Sequence, residues 1–164
     1  MPMEITTEGM TDLTKMIESV GEKAREVASG SLYRGAGIVA DALAGADEGI
    51  STEPFKGKRK YGYRLASPEE KAALQGKTGV GKFRDDGSGV NTVVGFSKNA
   101  GYTMLGKRKT PVIEIARSIN SGTSFMHKQP VYRKAISGSR KSAEDAIVQK
   151  AEEMLNDIIT NKGG

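Results

Sequence analysis

The sequence has no cysteine, no tryptophan, a single histidine and only five prolines in 164 residues. Without cysteine there is no disulfide framework, no thiolate nucleophile and no thiolate metal site. The lone histidine, His127, excludes a histidine-rich metal centre and leaves one candidate for nucleophile–histidine chemistry. No stretch approaches the roughly 18 consecutive apolar residues of a membrane span, and Met1 to Glu8 has neither the basic start nor the apolar run of a signal peptide. These absences predict a chain made in the cytoplasm and kept off the membrane. Aromatics are 5% and hydrophobics 37%, whereas glycine numbers 21. That balance predicts one domain, residues 1–164, with a thin aliphatic core that gains stability from partner subunits.

What the chain does have is uneven charge. Residues 1–50 carry 4 basic and 9 acidic side chains, residues 51–110 carry 13 and 5, and residues 111–164 carry 8 and 6, within a net charge of +5. An acidic start and a basic middle can meet nucleic acid, an acidic protein face or solvent, and composition does not choose among them.

Hydrophobic spacing gives the elements. A short strand is expected at Met3 to Thr7. Thr11 or Asp12 then caps a helix with Leu13, Met16, Ile17, Val20, Ala24, Val27 and Ala28 on one stripe. The stripe resumes at Leu32, Ala36, Val39, Ala40 and Leu43, so the helix runs to about Ala44, continuous or bent near Gly30. From 45 to 64 the periodicity vanishes into a basic loop insertion. Ser67-Pro68-Glu69-Glu70 starts a short helix that Gly76 ends. Val80–Phe83 and Asn91–Phe96 read as a hairpin joined through Asp85-Asp86-Gly87-Ser88-Gly89, and Lys107-Arg108-Lys109 as a glycine-flanked loop. Thr110-Pro111 opens a helix closed by Gly122 in a left-handed cap, and after Pro130 a last amphipathic helix carries Ala143, Ala146, Ile147, Ala151, Met154, Leu155, Ile158 and Ile159. This order predicts an α+β fold: a small antiparallel sheet packed by a long N-terminal helix and a C-terminal helix, with a basic extended middle loop.

Few patterns carry chemistry. Gly76-Lys77-Thr78 lacks the glycine five residues earlier and the preceding strand of a phosphate loop, and Gly35-Ala36-Gly37 lacks a third glycine. The pairs Asp85-Asp86, Glu144-Asp145 and Glu152-Glu153 read as solvated carboxylates. His127, with Ser121, Thr123 and Ser124 nearby, sits in a turn whose residues serve turn geometry. No catalytic, cofactor-binding or metal residue is assigned. The basic loops are better candidates, because Lys56, Lys58, Arg59, Lys60 and Arg64 alternate with Tyr61 and Tyr63, cations beside stacking surfaces.

The informative stretch runs from Ile119 to Ala135: Gly122-Thr123-Ser124, then Met126, then Pro130, Tyr132, Arg133 and Ala135. It resembles the neck or tail-component family of long-tailed bacteriophages, in which such a stretch precedes the last helix. The opening, Glu8-Gly9-Met10-Thr11-Asp12-Leu13, is more loosely similar to that family's strand and long helix. The region from Gly45 to Gly62 lacks the family's Ala-Pro and Thr-Gly-x-Leu stretch, so nothing carries over there.

The resemblance implies a virion structural protein without catalysis or cofactor: a homo-oligomeric ring at the head–tail junction, joining tail to head and lining or stabilising the DNA channel. Neighbouring connector and tail proteins would be its partners. Gly122, Thr123, Ser124, Phe125, Met126, Pro130, Tyr132 and Arg133 are then expected to serve turn or interface. Lys56, Lys58, Arg59, Lys60, Arg64, Lys107, Arg108 and Lys109 are expected to face channel DNA or a docking partner. Rival readings are a tail terminator ring, a small non-specific nucleic-acid-binding module of a mobile element, and, least supported, a hydrolase using His127.

Overall fold

The computed structural model describes residues 7–53, 64–87, 89–97 and 99–161, with side chains from Val20 onward, Glu22 apart. The expected strand at residues 3–6 lies outside these residues, and Thr7 is already helical: helix α1 spans Thr7–Ala46 without interruption. The start therefore precedes Thr11, and Gly30 introduces no break. The reason lies across the helix. α1 runs antiparallel to α4, Val131–Thr160, and the two form the most extensive contact in the fold. Where they approach, small residues are required. A Cβ on Gly35 would stand 2.4 Å from Ile147 Cγ1 and 3.0 Å from the Ala143 carbonyl, and one on Gly30 2.8 Å from Met154 Sδ. Ser31 returns its hydroxyl to the Val27 carbonyl at 2.7 Å, so it is buried with its polar atom satisfied. The buried face of α1 accordingly follows Val27, Ser31, Gly35, Ala36 and Leu43, while Ala24 and Ala28 are exposed.

Between the long helices the chain makes a 3-10 turn at Asp47–Gly49, helix α2 at Pro68–Leu74, six short strands and helix α3 at Val112–Ser121. α2 starts as its sequence dictates: Ser67 Oγ accepts from the Glu70 amide and Glu70 accepts from the Ser67 amide, a reciprocal capping box behind Pro68. The strands form separate antiparallel ladders: β1, Thr78–Val80, with β4, Val94–Phe96; β2, Arg84–Asp85, with β3, Val90–Asn91; and β5, Tyr102–Leu105, with β6, Arg108–Pro111.

The α+β architecture with its long N-terminal and C-terminal helices is as the sequence predicts, but two details differ. The hairpin expected from 80 to 96 is split in two, because Gly81 and Thr92–Val93 leave the ladder while still joined by the Gly81 amide and the Val93 carbonyl at 2.7 Å. The segment Lys107–Lys109 is not a loop. Arg108 and Lys109 are strand residues, and Gly106, at φ +63°, opens a two-residue turn.

The hydrophobic core lies at one end of the helical pair. Leu43, Ile50, Leu74, Val112, Ile115, Ile119, Met126 and Tyr132 close around α3, and Leu74, Ile119 and Val112 are its most enclosed large side chains. Among the described residues no helix is long and apolar enough to cross a membrane.

Candidate functional site

The stretch from Gly122 to Tyr132 forms the corner where the chain's distant parts meet. α3 ends because Gly122 takes φ +76° and ψ 167°, a combination open to glycine alone, and a Cβ there would lie 3.1–3.2 Å from Lys128. This replaces the expected left-handed cap: φ is positive, but the chain leaves extended rather than curling back. Thr123 then closes the turn, its amide donating to the Met126 carbonyl at 3.1 Å and its hydroxyl accepting from the Met126 amide at 3.1 Å. Ser124 is exposed at the apex.

Two remote segments lie against this turn. An extended strap, Arg64 to Ala66, bonds it through the Arg64 amide to the Phe125 carbonyl and the His127 amide to the Arg64 carbonyl, both 2.9 Å. On its other side the Glu53 amide donates to the Ala66 carbonyl at 3.0 Å. Gln129 imitates a strand neighbour: its side chain accepts from the Ser51 amide at 2.8 Å and donates to the Ser51 carbonyl at 3.0 Å. Pro130 follows as the residue before α4.

Tyr132 is buried, edge-on to Phe96 with centroids 5.0 Å apart, and donates to Asp47 Oδ1 at 2.5 Å. Burial raises the Asp47 carboxyl above its usual range despite the opposing pull of the Tyr132 hydrogen bond and of Lys71. The Tyr132 hydroxyl is likewise pushed up, by burial and then by Asp47. Lys71 donates to the Glu48 and Ile50 carbonyls at 3.0 Å each, tying α2 to the 3-10 turn.

The expected turn residues therefore divide. Met126 and Tyr132 are buried within the chain, whereas Phe125 is 55% exposed and Arg133 is exposed, its amide donating to Asn120 Oδ1 and its guanidinium making no ion pair among the described residues.

The basic residues divide too. Lys56, Lys58, Arg59 and Lys60 lie outside the described residues. Arg64 is not a free cation: its guanidinium forks onto Glu70 through two 2.6 Å bonds, with the Glu70 side chain only 7% exposed. The same carboxylate thus caps α2 and clamps the strap, and the Arg64 guanidinium also sits 5.9 Å from the Phe125 ring centroid. Lys107, Arg108 and Lys109 are exposed on the β5–β6 hairpin. Sequence reasoning missed that hairpin, although Gly106-Lys107 between Tyr-Thr-Met-Leu and Arg-Lys-Thr-Pro is a two-residue turn signal; the three adjacent cations masked it.

A cleft of about 240 Å³ brings both groups together. Arg64, Phe125 and Met126 line it from the corner, Leu105 and Arg108 from the hairpin, and Glu114 from α3. Its lining mixes apolar Leu105, Ile115, Phe125 and Met126 with charged Arg64, Glu70, Arg108 and Glu114, and Thr110 and Ser118 also line it. His127 lies in a different, open hollow of about 360 Å³ with Gly122, Thr123 and Lys128. Among the described residues no cluster of histidines and carboxylates is arranged to hold a metal ion. No family model matches the chain, and no curated protein or solved structure matches it.

Proposed function

We propose that this chain is a structural subunit of a long-tailed phage particle, one copy of a ring at the head–tail junction that joins tail to head. One observation carries the reading. The stretch from Gly122 to Ala135, whose residues resemble the neck and tail-component family, is also the stretch that ties residues 47, 51 and 64–66 into one corner. Residues of that stretch thus serve the architecture, which fits a protein whose work is to hold shape.

The surface agrees with a subunit role. Val93, Tyr102, Met104, Phe125, Val148 and Ile159 are each more than 40% exposed, and the two-stranded ladders leave strand edges without strand partners among the described residues. Exposed apolar side chains and open edges are what assembly covers. The cations of the β5–β6 hairpin then face either the channel, where they would attract phosphates without reading bases, or the next subunit.

The test is to locate the protein in particles. Tagged protein is expected at the portal axis between head and tail, in stoichiometric amount, and particles made without it are expected as heads and tails that remain unjoined. Particles that join normally without it, or a tag found elsewhere, overturn the proposal. A tag at the far end of the tail tube's growing tip, with overlong tails in its absence, would assign the terminator role instead.

A further inference from the structure

The β5–β6 hairpin has two unlike faces. Strand alternation and register put Leu105, Arg108 and Thr110 toward the cleft, and Tyr102, Met104 and Lys109 on the other side. On that outer face Tyr102 is 63% and Met104 60% exposed, Lys109 Nζ lies 4.8 Å from the Tyr102 ring centroid, and Lys107 stands in the adjoining turn. No carboxylate is near in sequence: from Gly87 to Ala143 there are ten basic residues against one acidic, Glu114, which faces the cleft. The outer face is thus an apolar ridge set among cations.

The complement is on the same chain. Along α4, Glu144, Asp145, Val148, Glu152, Leu155 and Ile159 follow one another by steps that keep them on one side of the helix. Val148 is 56% and Ile159 42% exposed, although both are aliphatic. Asp145 and Glu152 are exposed and make no ion pair among the described residues. This is an aliphatic ridge set among carboxylates. Val148 lies about 26 Å along α4 from the corner at Val131, given a rise of about 1.5 Å per residue. α4 packs along α1 while Val148 and Ile159 stay exposed, so this ridge faces outward, remote from the corner.

We propose that the outer face of the β5–β6 hairpin docks on the Val148–Ile159 face of α4 in a second copy of this chain. Tyr102 and Met104 cover Val148 and Ile159, and Lys107 and Lys109 meet Asp145 and Glu152. Because the two surfaces differ and sit apart on one molecule, each copy offers one of each. The contact is head-to-tail and propagates until it closes. The proposal rests on the ring reading for its setting and assigns Lys107 and Lys109 to the neighbour instead of the channel.

Charge reversal tests it in the purified full-length protein. Lys109→Glu and Glu152→Lys are exposed changes, and circular dichroism of each variant checks that it folds. Sedimentation across a concentration series is expected to show the wild type associating, more weakly as salt rises, and each variant alone associating at least roughly tenfold more weakly. The equimolar mixture of the two variants is expected to recover wild-type association, since each then finds an opposite partner on both surfaces. A mixture no better than its components, a variant that associates like the wild type, or a wild type that stays monomeric at millimolar concentration overturns the docking. So does a Lys109→Glu variant that loses duplex DNA binding while keeping self-association. Particle location is a separate readout: neck localisation with a failed mixture rejects the docking alone, and a recovered mixture with no protein in particles rejects the phage role alone.

Discussion

The helical pair and the corner hold themselves together by different means. α1 and α4 meet through a long apolar seam in which glycine lets two backbones approach, and its contacts repeat every turn. The corner draws together segments far apart in the chain by a few polar and backbone bonds: Gln129 reaches Ser51 over 78 residues and Tyr132 reaches Asp47 over 85. A seam tolerates the loss of one contact among many, whereas a corner built of single bonds depends on each of them. The comparison predicts steep costs at the corner and costs along the seam that follow local space.

The largest effect is expected at Gly122. Its φ and ψ exclude any side chain, and Lys128 occupies the space a Cβ needs, so Gly122→Val is expected to lose roughly 3 kcal/mol, measured by urea denaturation. Wild-type stability would show that the corner can reshape as freely as a loop. Next comes the buried pair. Asp47→Ala leaves the Tyr132 hydroxyl without its acceptor and is expected to cost roughly 1–3 kcal/mol, whereas Asp47→Asn keeps an acceptor and removes the charge.

The sign with pH follows from the raised Asp47 carboxyl. The folded state holds its proton more tightly than the unfolded chain, so this stability is complete below the ordinary carboxylate range. It is lost as pH rises through the folded-state value. Asp47→Asn is therefore expected to match the wild type near pH 3 and to gain on it toward pH 7. A difference independent of pH would mean that the carboxylate is not desolvated.

The smallest and sharpest test uses one substitution at two nearby positions of α1, one in the seam and one off it. Gly35→Ala, pressed against Ile147 and the Ala143 carbonyl, is expected to lose roughly 1–2 kcal/mol. Gly37→Ala, with nothing within 4 Å, is expected to gain roughly 0.5–1 kcal/mol from lower backbone entropy in the unfolded chain. Thermal melts that shift in the same direction for both would sink the close-approach account of the seam.

The same contrast explains what the sequence made legible. The long helices write themselves at spacings of three and four, and Ser67-Pro68-Glu69-Glu70 spells its cap within four residues, so local pattern sufficed. The start of α1 was misplaced because the Thr11-Asp12 cap signal competes with a helix already running from Thr7. Strands of two to four residues carry too little alternation to fix a register, so in the sequence 80–96 reads as one hairpin. At the corner the sequence marks Gly122, Pro130 and Tyr132 but not their partners. Nothing local to Asp47 announces a tyrosine 85 residues away, and Glu70 gives no sign that its carboxylate will clamp Arg64 besides capping its own helix.

One consequence of the uneven helix lengths is geometric. α1 has 40 residues and α4 has 30, so at about 1.5 Å per residue the first is roughly 15 Å longer. α4 starts beside the 3-10 turn that follows α1, where Asp47 meets Tyr132, so the surplus lies at the far, N-terminal end. The opening turns of α1 therefore extend past the end of α4, so the longer helix reaches where the shorter one gives it no cover.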